Sequence, residues 1–231
     1  EEYLSMIEGV VASRNYLREA YPSVWLNLGP GSLAACLTGH LKFETGTSWF
    51  ELPEPMGWDG ILNLKLDEDS VWWRRTRRMA RALARQGKGK YIVGTADLGG
   101  IMDVLASLRT TGQLLEDCVR EPGLVLDCCK RLLEPWHYCF EELYKDLTSE
   151  GQEGMSAWMG LWCPKRWYPL QCDFSAMISP AMFEKLVLPI LAEQCERLDH
   201  SIYHWDGPGE IPHLEMLLSI KKLDGIQWVP G

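Results

Sequence analysis

Short apolar runs alternate with longer amphipathic ones along most of the chain, and the spacing predicts most of its elements. Residues 1–20 read as a helix, and "SVWLNLG" (23–29) as a strand closed by the turn "GPGS". "FETGTSWFELPEP" (43–55) is extended and ends at prolines. "DSVWWRRTRRMARALARQ" (69–86) opens on an Asp/Ser N-cap, carries an apolar stripe and stops at Gly87. "KYIVGTAD" (90–97) is a strand of the buried type. Helices are expected over 101–108, 112–121 and 122–147, the last with Pro122 in its first turn. Strand or strand-and-loop follows at 155–162 and 169–178. One helix is expected over 179–199, with Ser179 as N-cap and Pro180 at its first position. The chain ends in a strand at 201–205, a helix at 209–219 and a strand at 223–229.

Strands and helical segments that alternate at this spacing build parallel β/α units, so the fold class is α/β. About six strands are countable, whereas a closed (β/α)8 TIM barrel takes ~250 residues. The sequence stops on a strand and a turn, "QWVPG". The reading is one domain over 1–231, either an open sheet or a barrel incomplete at its C-terminus. In both plans ligands meet the C-terminal ends of the strands. The polar and aromatic residues expected there are Asn27, Asp97, Trp158, Trp162, Gln171, Asp173, His204, Asp206, Gln227 and Trp228.

Composition narrows the classes. The net charge of −9 argues against nucleic acid or an anionic membrane surface as partner. No apolar stretch is long enough to span a bilayer, and the first residues lack the pattern of a signal peptide. Eight cysteines occur without a C-x-x-C pair, and five of them (118, 128, 129, 139 and 195) fall in helical patterns. Buried, reduced thiols in a cytoplasmic protein are the expectation. The basic run "WRRTRR" (73–78) reads as a solvated or subunit-contacting helix face. "GTADLGG" (94–100) has the glycines of a phosphate loop without its spacing or its lysine.

The sharpest chemical feature is "SIYHWDGPGE" (201–210). Side chains two apart in a strand share a face, so His204 and Asp206 can enter one site. An imidazole and a carboxylate suit a divalent metal, given a third ligand such as Asp173 or Cys172. They also suit acid–base work, with the aspartate setting the state of the histidine, or simple recognition of a polar ligand. An Asp-Gly turn closing on its own backbone remains open beside these.

Three stretches together resemble the uroporphyrinogen decarboxylase superfamily, in its methyltransferase-like branch: "ADLGGIMDVLASLRTTGQLLEDCVREPGLVLDCCKRL" (96–132), "QCDFSAMISPAMFEKLVLPIL" (171–191) and "YHWDGPGEIPHLEMLLSIKKLDGIQWVPG" (203–231). The resemblance implies a (β/α)8 barrel that continues two units past a strand like 223–229, often as a homodimer. It also implies one of two chemistries. Corrinoid-dependent methyltransferases of this kind bind zinc through His-x-Cys and a later cysteine, and exchange methyl groups with a corrinoid on a partner protein. His204 and Asp206 occupy the first two ligand positions, with aspartate where those enzymes have cysteine. Asp173 and Asp97 would be neighbouring site groups, with Trp158, Trp162, Gln171, Gln227 and Trp228 binding a small-molecule substrate. The cofactor-free decarboxylases hold a tetrapyrrole with arginines. Their arginine-rich N-terminal segment has no counterpart here, which leaves Arg109 and Arg166 as candidates. A non-catalytic barrel that binds a tetrapyrrole or metabolite is the remaining alternative.

Overall fold

The computed structural model describes residues 2–45, 47–50 and 52–230. The chain opens with α1 (Glu2–Ala12), β1 (Ser23–Trp25), α2 (Leu33–Thr38), a hairpin of β2 (Lys42–Glu44) and β3 (Thr47–Trp49), and α3 (Trp58–Leu62). It continues through α4 (Val71–Gly87), β4 (Ile92–Gly94), α5 (Ile101–Arg109), α6 (Thr111–Arg120) and α7 (Pro122–Ser149). After β5 (Met155–Ser156), β6 (Trp162–Cys163) and β7 (Trp167–Gln171) come α8 (Pro180–Leu186), α9 (Leu188–Arg197), β8 (His200–Asp206), α10 (Leu214–Leu218) and β9 (Gly225–Val229).

Six of these strands are parallel to their neighbours, in two sheets. β1, β4 and β5 form one, with β6 antiparallel at its edge, and β7, β8 and β9 form the other. The sheets meet where the Trp167 indole donates to Met155 O at 3.0 Å. The fold is therefore mixed α/β, and among the described residues no barrel closes.

Packing explains the helices. Ser70 Oγ caps α4 by accepting from Trp73 N at 3.4 Å. The buried face of that helix repeats at helical spacing through Trp73, Thr76, Ala80, Leu83, Ala84 and Gly87. Its basic residues are not simply a solvated face. Arg77 and Arg81 converge on Asp146 of α7 at 2.7 and 2.8 Å, and Arg85 reaches Glu150 at 2.7 Å. These pairs clasp the two helices above a shared apolar seam.

Four expectations change at their edges, each for a local reason. The N-terminal helix stops at Ala12 rather than running to residue 20. β1 ends at Trp25 because Asn27 turns the chain, its Oδ1 accepting from Gly29 N at 2.8 Å. The helix expected over 179–199 is two, broken at Val187, since Pro189 cannot supply the N–H that a continuous helix needs there. Residues Pro208–His213 form a 3-10 turn before α10, with prolines at 208 and 212.

No helix of the described residues is long and apolar enough to cross a membrane. Seven of the eight cysteines are buried and all are free.

His137 lies buried in α7 with Nε2 unpartnered, and burial first, then the nearby Arg197 charge, push its pKa down to about 4. An unfolded histidine takes a proton below about 6.5 while this one resists, so stability falls as pH drops from there toward 4. His137→Leu should remove on the order of 3 kcal/mol of that acid-side loss. Urea titrations of both proteins at pH 7 and pH 4.5 check this; parallel losses would contradict it.

Candidate functional site

In the β7–β8–β9 sheet, Gln171 stands opposite His204, and His204 opposite Gln227. Registered neighbours in parallel strands point the same way, so these three side chains share one face, with Asp206 two residues further on it. Tyr203, Trp205 and Trp228 point to the other. Asp173 opens the 3-10 turn that leaves β7. One ligand atom from each of Asp173, His204 and Asp206 lies within 4.8 Å of the others.

Each member of this cluster is braced. His204 Nδ1 meets Gln227 Oε1 at 2.5 Å, while Gln227 Nε2 donates to Trp228 O at 3.4 Å. With the amide so oriented, Nδ1 carries the proton and Nε2 keeps its lone pair. Trp158, just past β5, packs edge-on against the same imidazole with ring centres 4.6 Å apart. Behind Asp206, the chain turns through Gly207 at φ +97° and ψ −179°, a region essentially closed to other residues. That turn brings Glu210 back: its Oε1 accepts from Asp206 N at 3.3 Å and its Oε2 from Tyr203 O–H at 2.8 Å. Asp173 is held by Asp103 of α5, whose two oxygens accept from Asp173 N at 3.2 Å and Phe174 N at 2.8 Å. Gly100 permits this approach, because a Cβ there would meet Gln171 O at 2.2 Å.

The electrostatics are one-sided. Burial, then the charge of Asp173, lifts Asp103 to about 7. Burial is also the main cause that lifts Glu210 to about 7, with Asp173 contributing. Desolvation in the cleft raises Asp173 as well, followed by repulsion from Asp206, with His204 acting the other way. Beside the cluster lies a cavity of about 300 Å³ lined by Asp103, Asp173, Gln171, Trp49, Phe50 and Phe174 among others, none of them Lys or Arg.

The structure gathers His204, Asp206, Asp173, Gln171, Gln227 and Trp158, and leaves the other candidates outside that group, though Asp97 is near enough that the Asp173 charge, after burial, helps raise its pKa to about 6. Asp97 is buried beneath the loop after β4, its Oδ1 accepting from Gly99 N at 2.7 Å and facing Tyr168 O–H at 3.4 Å. Trp162 sits on the antiparallel edge strand, donating to Glu153 O at 2.8 Å. Trp228 packs on Trp205, on the face away from His204. Cys172 is buried among Met102, Cys129 and the residues of α9. Neither candidate arginine reaches the cleft. Arg109 is committed to Asp117 at 2.7 Å and lies over the Trp58 ring, and Arg166 pairs with Glu141 and Asp199 at the opposite end of β7. Asp103 and Glu210 were not among the expected site residues, since Asp103 is bound to backbone N–H groups and Glu210 to one backbone N–H and the Tyr203 hydroxyl, contacts that no sequence spacing marks.

No family model matches this chain, and a search of curated proteins finds no match. Among solved structures the fold is similar to a methyltransferase from Methanosarcina mazei, with a TM-score of 0.62 at 11% identity. The match takes in 96% of this chain and 58% of that one, so the chain spans less than two thirds of that protein's length.

Gly207→Ala should cost about 1–3 kcal/mol in urea unfolding, the strain of a side chain at this backbone conformation. A neutral outcome would show that the Asp206–Glu210 turn is not held as described.

Proposed function

We propose that this chain is a methyltransferase built on the barrel plan, in one unit, with a divalent cation held by Asp173, His204 and Asp206. The corrinoid that gives or receives the methyl group would be carried by a partner protein, as the sequence resemblance implies. The observation that carries the reading is the convergence of those three ligand atoms at the C-terminal ends of parallel strands. The fold similarity to a methyltransferase agrees with it.

The donor set fits the ion. Two carboxylates and an imidazole supply the oxygen and nitrogen ligands that zinc and other divalent metals accept. The Gln227 contact to His204 Nδ1 is the outer bond that metal-ligating histidines usually make, and it leaves Nε2 free to ligate. When bound, such an ion supplies the positive charge that acidifies a nucleophile or polarises a methyl donor.

The protein's own residues hold and shape this centre. Asp206 cannot drift because Gly207 and Glu210 fix its backbone, and Asp103 does the same for Asp173. Trp158 limits rotation of the His204 ring. Phe50 and Phe174 are buried and give the adjoining cavity apolar walls. The tetrapyrrole-decarboxylase alternative loses its support, because a substrate rich in carboxylates would enter a cleft of carboxylates with no arginine lining it.

Zinc affinity, read by competition with a chromogenic chelator, should fall by on the order of 100-fold in His204→Ala and in Asp206→Ala, and by roughly 10- to 100-fold in Gln227→Leu. Demethylation of methylcobalamin, offered with thiol, amine and hydroxyl acceptors, should stop on metal removal and return with zinc. Turnover indifferent to chelation and to His204→Ala would overturn the reading. Tight binding of a tetrapyrrole without turnover would favour a binding barrel instead.

A further inference from the structure

The turns that carry Asp173 and follow Asp206 are fastened to each other behind the cleft. Asp173 opens the 3-10 turn Asp173–Met177, and Asp206 ends β8 and leads through Gly207 into the 3-10 turn Pro208–His213. The two turns pack closely, since a Cβ on Gly209 would meet Ala176 Cβ at 2.9 Å. His213, 1% exposed at the end of the second turn, reaches across to Ser175 O of the first with Nε2 at 2.9 Å. A carbonyl oxygen only accepts, so Nε2 carries the proton and donates it. Nδ1 is buried without a partner among the described residues, and Phe183 of α8 stacks on the ring at 4.3 Å and 6°. Ser175 O already accepts from Ile178 N at 3.2 Å within its own turn. The histidine therefore does not rescue an orphaned carbonyl. What its bond adds is a tie between the two turns.

That tie opposes a definite force. Carboxylate oxygens of Asp173 and Asp206 lie within 4.8 Å of each other. Like charges so close push their turns apart until a cation screens them. We infer that His213 is the positioning residue for this pair, holding the Asp173 turn against the Asp206 turn before any ion arrives. It acts through the two backbones, and an ion then meets ligands that need little rearrangement. The inference rests on the cation reading for what the two carboxylates hold; the tie itself stands on the bond between the turns.

Amide hydrogen exchange on the metal-free chain and zinc competition on the same variants test this. His213→Phe keeps the aromatic contact with Phe183 and removes the donor, whereas His213→Gln keeps an N–H at a similar reach. Without metal, His213→Phe should speed exchange at the Ser175, Ile178 and Glu210 amides about fivefold to tenfold and leave β7 and β8 unchanged. Adding Asp206→Asn to that variant should slow the turns again, because the repulsion is gone. Zinc affinity should fall about fivefold to tenfold in His213→Phe and return in His213→Gln. In an Asp173→Asn background, His213→Phe should barely change the residual zinc affinity, whereas a merely structural loss would add in full. Unchanged exchange in the two turns, exchange raised equally along the whole chain, or equal zinc losses in the Phe and Gln variants would overturn the inference. A wild-type chain that binds no zinc defeats the cation centre, and the exchange pattern still decides the tie. Zinc bound equally well by wild type and His213→Phe defeats the positioning role alone.

Discussion

Gln171, His204 and Gln227 stand abreast on three parallel strands, and a slip of one residue in either pairing would turn a member of that row toward the helices. The cleft depends on this register. It aligns His204 with the amide that orients it, sets Asp206 on the same face two residues later, and leaves the strand ends level so that Asp173 can close the group. What fixes the register is the other face: in β8, Tyr203 and Trp205 are buried between more exposed neighbours, and a slip of one residue would exchange the two sets. The apolar side of the sheet thus sets the geometry of its polar side.

Charge is the second constraint. The cleft collects Asp103, Asp173, Asp206 and Glu210 around a single imidazole. Arg77, Arg81 and Arg85 are engaged in the α4–α7 clasp, Arg109 on Asp117, and Arg166 at the far end of β7. Carboxylates brought together without a counter-charge repel one another, and burial first, then that repulsion, raises the pKa values of Asp103, Asp173 and Glu210. A bound cation relieves the repulsion in a way that an anionic ligand cannot. The same imbalance makes a centre for a metal more natural than one for a tetrapyrrole with many carboxylates.

Much of this was legible in the sequence, and the failures have physical causes. α4 and α7 declared themselves through long apolar stripes and their starting residues, Ser70 and Pro122. Strand positions were readable but not their lengths, because Asn27 and its neighbours fold into turns that apolar pattern does not mark. Prolines at 189 and 212 interrupted runs whose periodicity alone suggested single helices. In the cleft, alternation brought His204 and Asp206 together correctly. It should also have separated Gln227 from Trp228, since adjacent residues in a strand cannot face the same way. Asp103 was invisible because it reaches across some seventy residues to the backbone of Asp173 and Phe174. Glu210 was hidden in a loop whose path only Gly207 makes available.

The central claim is that a metal sits among two carboxylates and an imidazole, in a protein that also has eight cysteines to offer. Zinc-edge X-ray absorption on the chain loaded with one equivalent of zinc tests it most directly. The account predicts a first shell of oxygen and nitrogen alone at about 2.0–2.2 Å. Sulfur scattering at about 2.3 Å, or zinc that washes off entirely, would contradict it.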